Sequence, residues 1–133
     1  MKWIACCFAF FFFSCSTTPA WKKQINSADS LVISFNEPQS NIIEKTIHTT
    51  EKDAIRQVAG FIGNKSAKEY KCGYDGNIIF YQGGKLAGDI SFNYSGEGCR
   101  HFILMDEKGL ITVAMKNDAA DFLKSLREGK NWY

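Results

Sequence analysis

Glu97, Arg100 and His101 sit within one five-residue stretch and form the densest polar cluster of the chain. An acid, a strong cation and an imidazole could do acid–base work if they converged on one substrate atom. Successive side chains of a strand point to opposite faces, so Arg100 and His101 are expected to diverge. Glu97 falls at a turn tip, where acids are ordinarily just solvated. His101, read as a cross-strand neighbour of Phe92, fits a half-buried structural histidine. A small hydrolase using His101 with Glu97 or Asp75 is the catalytic alternative, and it requires an open pocket with a carboxylate in reach.

Other chemistries find less support. His48 lies near Glu44 and Glu51, but a chain with only 2 His offers little for a His-based metal centre. Cys72-Gly73-Tyr74-Asp75-Gly76 lacks the alternating acids of a calcium loop and reads as an anchored turn. No G-x-S-x-G elbow, phosphate loop or dinucleotide fingerprint is present, and Gly83-Gly84-Lys85 reads as a turn. Lys65, Lys68 and Lys71 read as a solvated loop. With 16 Lys plus Arg against 14 Asp plus Glu, the net charge of +2 is too balanced for a dedicated nucleic-acid binder. No catalytic residue, metal or cofactor is assigned, and a non-enzymatic binding protein is expected.

The N-terminus carries a different message. Met1-Lys2 precedes an uncharged run from Trp3 to Phe13 and the small residues Ser14-Cys15. A positive start, a short apolar run and small residues make an export signal, residues 1–14. Eleven residues rise only about 16 Å as a helix, too little to span a bilayer. Phe12-Phe13-Ser14-Cys15 resembles the bacterial lipobox, in the relaxed form found in Bacteroidota and spirochaetes, with Phe12 where Leu is usual. The resemblance covers residues 1–15 and implies a lipoprotein. The Cys15 thiol would carry a diacylglyceryl group, the signal would be cut before it, and the new N-terminus would be acylated with a palmitate-type chain. The chain would then be anchored in the cell envelope. Ser16 after the Cys resembles the outer-membrane pattern. The alternative is cleavage after Ala20 and a soluble periplasmic or secreted protein.

Of 5 Cys, Cys6 and Cys7 would leave with the signal and Cys15 would be lipidated. Cys72 and Cys99 are left for a disulfide, which an exported compartment permits. Two buried free thiols, or a metal pair with His101, are the alternatives.

Residues 15–29 read as the lipidated Cys and a flexible tether, and residues 30–133 as a single domain. Leu31, Ile33 and Phe35 alternate as a strand, and Ile42 to Thr49 forms its β-branched partner. A helix begins at Thr50, with Asp53 completing a capping box. Three turns, at Gly83-Gly84, Ser95–Gly98 and Asp106–Gly109, predict a four-strand meander. Their registers place Ile79, Tyr81, Leu86, Ile90, Phe92, Ile103, Met105, Ile111 and Val113 on one face, to be covered by helices. Asn117 caps a last helix ended by Gly129. The expected fold is α+β and two-layer, β-β-α-β-β-β-β-α, an antiparallel sheet of about six strands with two helices on one face. Ile78, Phe80, Phe102 and Leu104 would then lie on a bare sheet face, which suggests a protein or ligand partner. Phe80, Phe102, Arg100 and Glu97 form the expected binding surface. A narrower form of this reading is an enzyme inhibitor or immunity-type protein, by analogy of fold.

Overall fold

Leu31, Ile33 and Phe35 alternate with more polar residues, and the chain is extended there as β1 (Ser30–Asn36), with all three apolar side chains fully buried. The computed structural model of the protein describes residues 17–68 and 71–133. The signal-like segment and Cys15 lie outside the described residues.

After β1 come β2 (Ile43–Thr49), β3 (Gly76–Gln82), β4 (Lys85–Asn93), β5 (His101–Asp106) and β6 (Gly109–Ala114). They form one sheet in the order β2-β1-β3-β4-β5-β6, every neighbour antiparallel. A helix, α2 (Lys52–Phe61), carries the chain from edge strand β2 past β1 to β3. From β3 onward the sheet is the expected meander. Residues 65–67 shield part of the outer edge of β6, where the Ala67 amide donates to the Thr112 carbonyl and the Ala114 amide to the Lys65 carbonyl. The α+β class with a six-stranded antiparallel sheet is therefore observed. Among the described residues it has three helices rather than two: α1 (Ala20–Asn26), α2 and α3 (Asn117–Arg127).

Residues 20–26 are not the loose tether expected from their polarity. Trp21 and Ile25, four apart on one helical face, are both buried. A seven-residue helix does not hold itself together in water, so tertiary contact maintains it. The contact is close: a Cβ on Gly88 of β4 would lie 2.6 Å from Ile25 Cγ2, so only glycine lets the helix in. On its other flank the Lys22 ammonium donates to the carbonyls of Ala59 and Ile62, where α2 ends.

The predicted β3–β4 register holds at the turn and is one residue off beyond it, and the β4–β5 and β5–β6 registers are one residue off. Gly83 and Gly84 do form the two-residue turn, both at positive φ (56° and 75°), and Tyr81 pairs with Leu86. A bulge follows at Ala87, so Phe80 pairs with Gly88 and Ile78 with Ile90. Beyond it Phe92 pairs with Phe102 and Ile90 with Leu104. The β5–β6 loop has two residues, Glu107 and Lys108, and Leu104 pairs with Ile111. A one-residue slip turns every side chain to the other face. Ile78, Phe80, Phe102 and Leu104, expected bare, are buried, whereas Leu86 and Met105 are exposed. The buried set joins the apolar stripes of all three helices in one core.

The helix caps also differ. Thr50 does not cap α2; Glu51 precedes its first residue, and the Thr49 hydroxyl accepts from the Glu51 amide. Lys116 precedes α3, and Asn117 is its first residue. That frees the Asn117 side chain for another partner.

Candidate functional site

Where β4 ends, Tyr94 and Ser95 begin the loop that returns to β5. The Tyr94 ring is buried against Phe35 and Phe92, at centroid distances of 6.4 and 6.0 Å. Its position is set by Asp75, the residue before β3. Asp75 Oδ2 accepts from the amides of Tyr94 and Ser95 at 2.7 and 2.8 Å, and Oδ1 accepts from the Ser95 hydroxyl at 2.9 Å. Asn93 Nδ2 donates to the Gly73 carbonyl at 2.6 Å, and the Cys72–Cys99 disulfide ties the same two segments together. The Cys72–Gly76 stretch is thus an anchored turn whose acid organises the next loop.

A cleft of about 520 Å³ opens between this loop, β2 and α3. It is lined by Glu44 of β2, by Tyr94, Ser95 and Arg100 of the loop, and by Asp121, Lys124 and Arg127 of α3, with Glu128 just beyond. Arg127 joins its walls. Its Nη2 and Nε donate to Glu44 Oε2 at 2.6 and 3.1 Å, and Nη1 donates to the Tyr94 hydroxyl at 3.3 Å. The Tyr94 hydroxyl first, and the Glu44 carboxylate second, raise the Arg127 pKa above its ordinary value, so the guanidinium is a permanent cation. Arg100 uses Nε on the Tyr94 carbonyl (3.2 Å) and Nη1 on Asn117 Oδ1 (2.8 Å), which leaves Nη2 for the cleft. Glu44 is held by Arg127, and Glu128 lies 3.8 Å from Lys130 Nζ. The lining carries three cations and three acids and is formally neutral, with Arg127 and Glu44 paired to each other and Arg100 and Lys124 its other cations.

Of the four residues expected to form a binding surface, only Arg100 lines this cleft. Phe80 and Phe102 are in the core, at 0% and 1% exposure, which corrects their assignment to a bare face. Glu97 is exposed at the loop tip, away from Arg100's contacts. His101 is completely enclosed, at 0% exposure, so no substrate can reach its ring. The open pocket that a His101 hydrolase needs is not there. Among the described residues, no group of three or more His, Cys, Asp or Glu could hold a metal ion. Among the described residues, no helix is long and apolar enough to cross a membrane.

Glu44, Tyr94, Lys124 and Arg127 escaped the sequence reading because they lie on three elements far apart in the chain. The available signal was weak: two cations, Lys124 and Arg127, on the polar side of the last helix.

Comparison of the chain with protein-family models, with curated proteins and with solved structures finds no match.

Proposed function

We propose that this chain is a lipid-anchored cell-envelope protein that binds an anionic ligand in the cleft between β2, the loop after β4 and α3, without transforming it. The observation that carries the reading is the Arg127–Glu44–Tyr94 network, which preforms the cleft and, among the described residues, leaves Arg100 Nη2 and Lys124 as its unmatched donors. Arg100 Nη2 and the Lys124 ammonium are charged donors suited to a carboxylate, so a peptide or small acid with a free carboxylate is the ligand class. The cleft holds no nucleophile paired with a base, and binding is what such a constellation can do.

Support for export comes from the lipobox-like residues 1–15 and from the Cys72–Cys99 disulfide, which suits an oxidising compartment. Cleavage after Ala20 fits poorly with the fold. It would cut within α1 and place a charged amine on Trp21, which is buried.

Mass spectrometry of the N-terminus from membrane extracts tests the anchor. An acyl adduct on Cys15 is expected; an unmodified terminus at Trp21 overturns it. Titration with a short peptide bearing a free C-terminus, followed by NMR, tests the cleft. Shifts at Tyr94, Ser95 and Lys124 are expected, and they should vanish in Arg100→Ala. Shifts elsewhere, or none at millimolar peptide, overturn the assignment.

A further inference from the structure

We infer that the folded domain rests directly on the lipid surface through Leu86, Met105 and Leu110, so that the ligand cleft faces away from the bilayer. The inference rests on the lipid anchor proposed above.

The three side chains are 66%, 65% and 58% exposed and line one groove on the open sheet face. Met105 and Leu110 are direct cross-strand neighbours. Local geometry explains why they are uncovered. The β4–β5 ladder runs only from Ile90 to Asn93, so the first half of β4 has β3 as its one strand neighbour. The two strands separate there, and α1 reaches the gap: Trp21 and Met105 line the same small cavity. The chain thus enters the fold beside the exposed patch.

The short tether names the occupant. Only Ser16 to Pro19 separate Cys15 from α1, because residues 20–26 are helix. An extended chain spans at most about 3.6 Å per residue, so the anchored Cys15 lies within roughly 18 Å of the start of α1. The bilayer is therefore always within reach of Met105. A patch of three side chains is too small to hold a free protein on lipid. A short tether makes the contact intramolecular, at an effective concentration of order millimolar, and weak apolar contact then suffices. The charges next to the patch in sequence are Lys85, Asp106, Glu107 and Lys108, and Asp89 lines the groove itself, so a basic attraction to lipid headgroups is not what holds the patch there.

The other exposed apolar pair, Ile42 and Ile43 (62% and 60%), lies at the opposite end of the sheet, where β1 turns into β2. The cleft also lies at that end, beyond the last residue of β4. From Leu86 to Tyr94 an extended strand rises about 26 Å, which separates the cleft from the patch along the strand.

Fluorescence quenching tests the orientation. The acylated full chain, carrying a fluorophore at Leu86→Cys, Leu110→Cys or Asn41→Cys, is reconstituted in neutral phosphatidylcholine vesicles containing nitroxide-bearing lipid. Labels at 86 and 110 should lose more than half their emission, while the label at 41 keeps its own. Equal emission at all three positions, with the protein still floating with the vesicles, overturns the docking and leaves the anchor standing. Stronger quenching at 41 overturns the orientation by reversing it. Failure to float with the vesicles overturns the anchor, and the docking with it.

Discussion

Gly76 shows how much one missing methyl decides. A Cβ there would lie 2.0 Å from the Ser34 carbonyl oxygen and 2.6 Å from Phe92 Cζ. Neither atom can yield: one belongs to the paired backbone of β1, the other to a ring packed in the core. Gly76→Ala is expected to cost about 3 kcal/mol or more, at the top of the range for overpacking, read from the shift of a urea midpoint. Gly98→Ala, with nothing within 4 Å of the new methyl, should change stability by less than about 0.5 kcal/mol. At the same scale, Asp75 was legible as the one acid of a compact turn. Its role was not, because its partners, Tyr94 and Ser95, lie about twenty residues further on. A wider gap, 83 residues, separates Arg127 from Glu44: cleft pairs of this kind have no local spacing to betray them.

Among the elements, α1 carries the sharpest consequence. Were residues 16–29 a loose tether, Ile25→Ala would be silent. With Ile25 buried to 1% exposure, the substitution is expected to cost about 2–5 kcal/mol. The clamp between α1 and α2 should also register in pH dependence. Burial lowers the Lys22 pKa from its ordinary 10.5. Between that lowered value and 10.5 the unfolded chain binds more protons than the folded one, so stability rises with pH across this window. Urea unfolding at a series of alkaline pH values should show this rise in the native chain and its loss in Lys22→Met. A flat difference between the two chains would contradict the burial of the ammonium. α1 was hidden from a periodicity search because seven residues with two apolar positions make no pattern. The strands and the other helices were legible because each repeats its period for two or more turns.

For the molecule as a whole, the disulfide closes the Cys72–Cys99 loop over the residues that frame the cleft. On chain-entropy grounds a loop of about 28 residues contributes roughly 3.5 kcal/mol, lost on reduction or in Cys72→Ser/Cys99→Ser. The urea midpoint should fall accordingly, and ligand titration should weaken with it, since the disulfide shares its segments with Asp75 and Asn93. Sequence reasoning inverted the covered face of β3 and β5, while Ile90 and Phe92 of β4 and Val113 of β6 are buried as expected. Ile79, Tyr81, Ile103 and Met105 stand one residue from Ile78, Phe80, Phe102 and Leu104, so both faces offer an apolar set. Registers shifted by one still produce a continuous apolar face. Internal agreement among turns therefore could not choose between the two; the bulge at Ala87 decided it for β3, and the pairing of Phe92 with Phe102 decided it for β5.

Alternation, turn chemistry and helical stripes, all short-range properties, were sufficient by themselves to determine the α+β class, six antiparallel strands and the Gly83-Gly84 turn; the Cys72–Cys99 pairing was expected by elimination, from what the lipobox resemblance implies for the other cysteines. Tertiary structure alone decided which face is covered, that residues 20–26 are helical, and that Glu44, Tyr94, Arg100 and Arg127 share a cleft. The reason is physical. A strand's period of two is indifferent to a one-residue slip until something packs against it, and here the docking of Ile25 onto Gly88 supplies that contact.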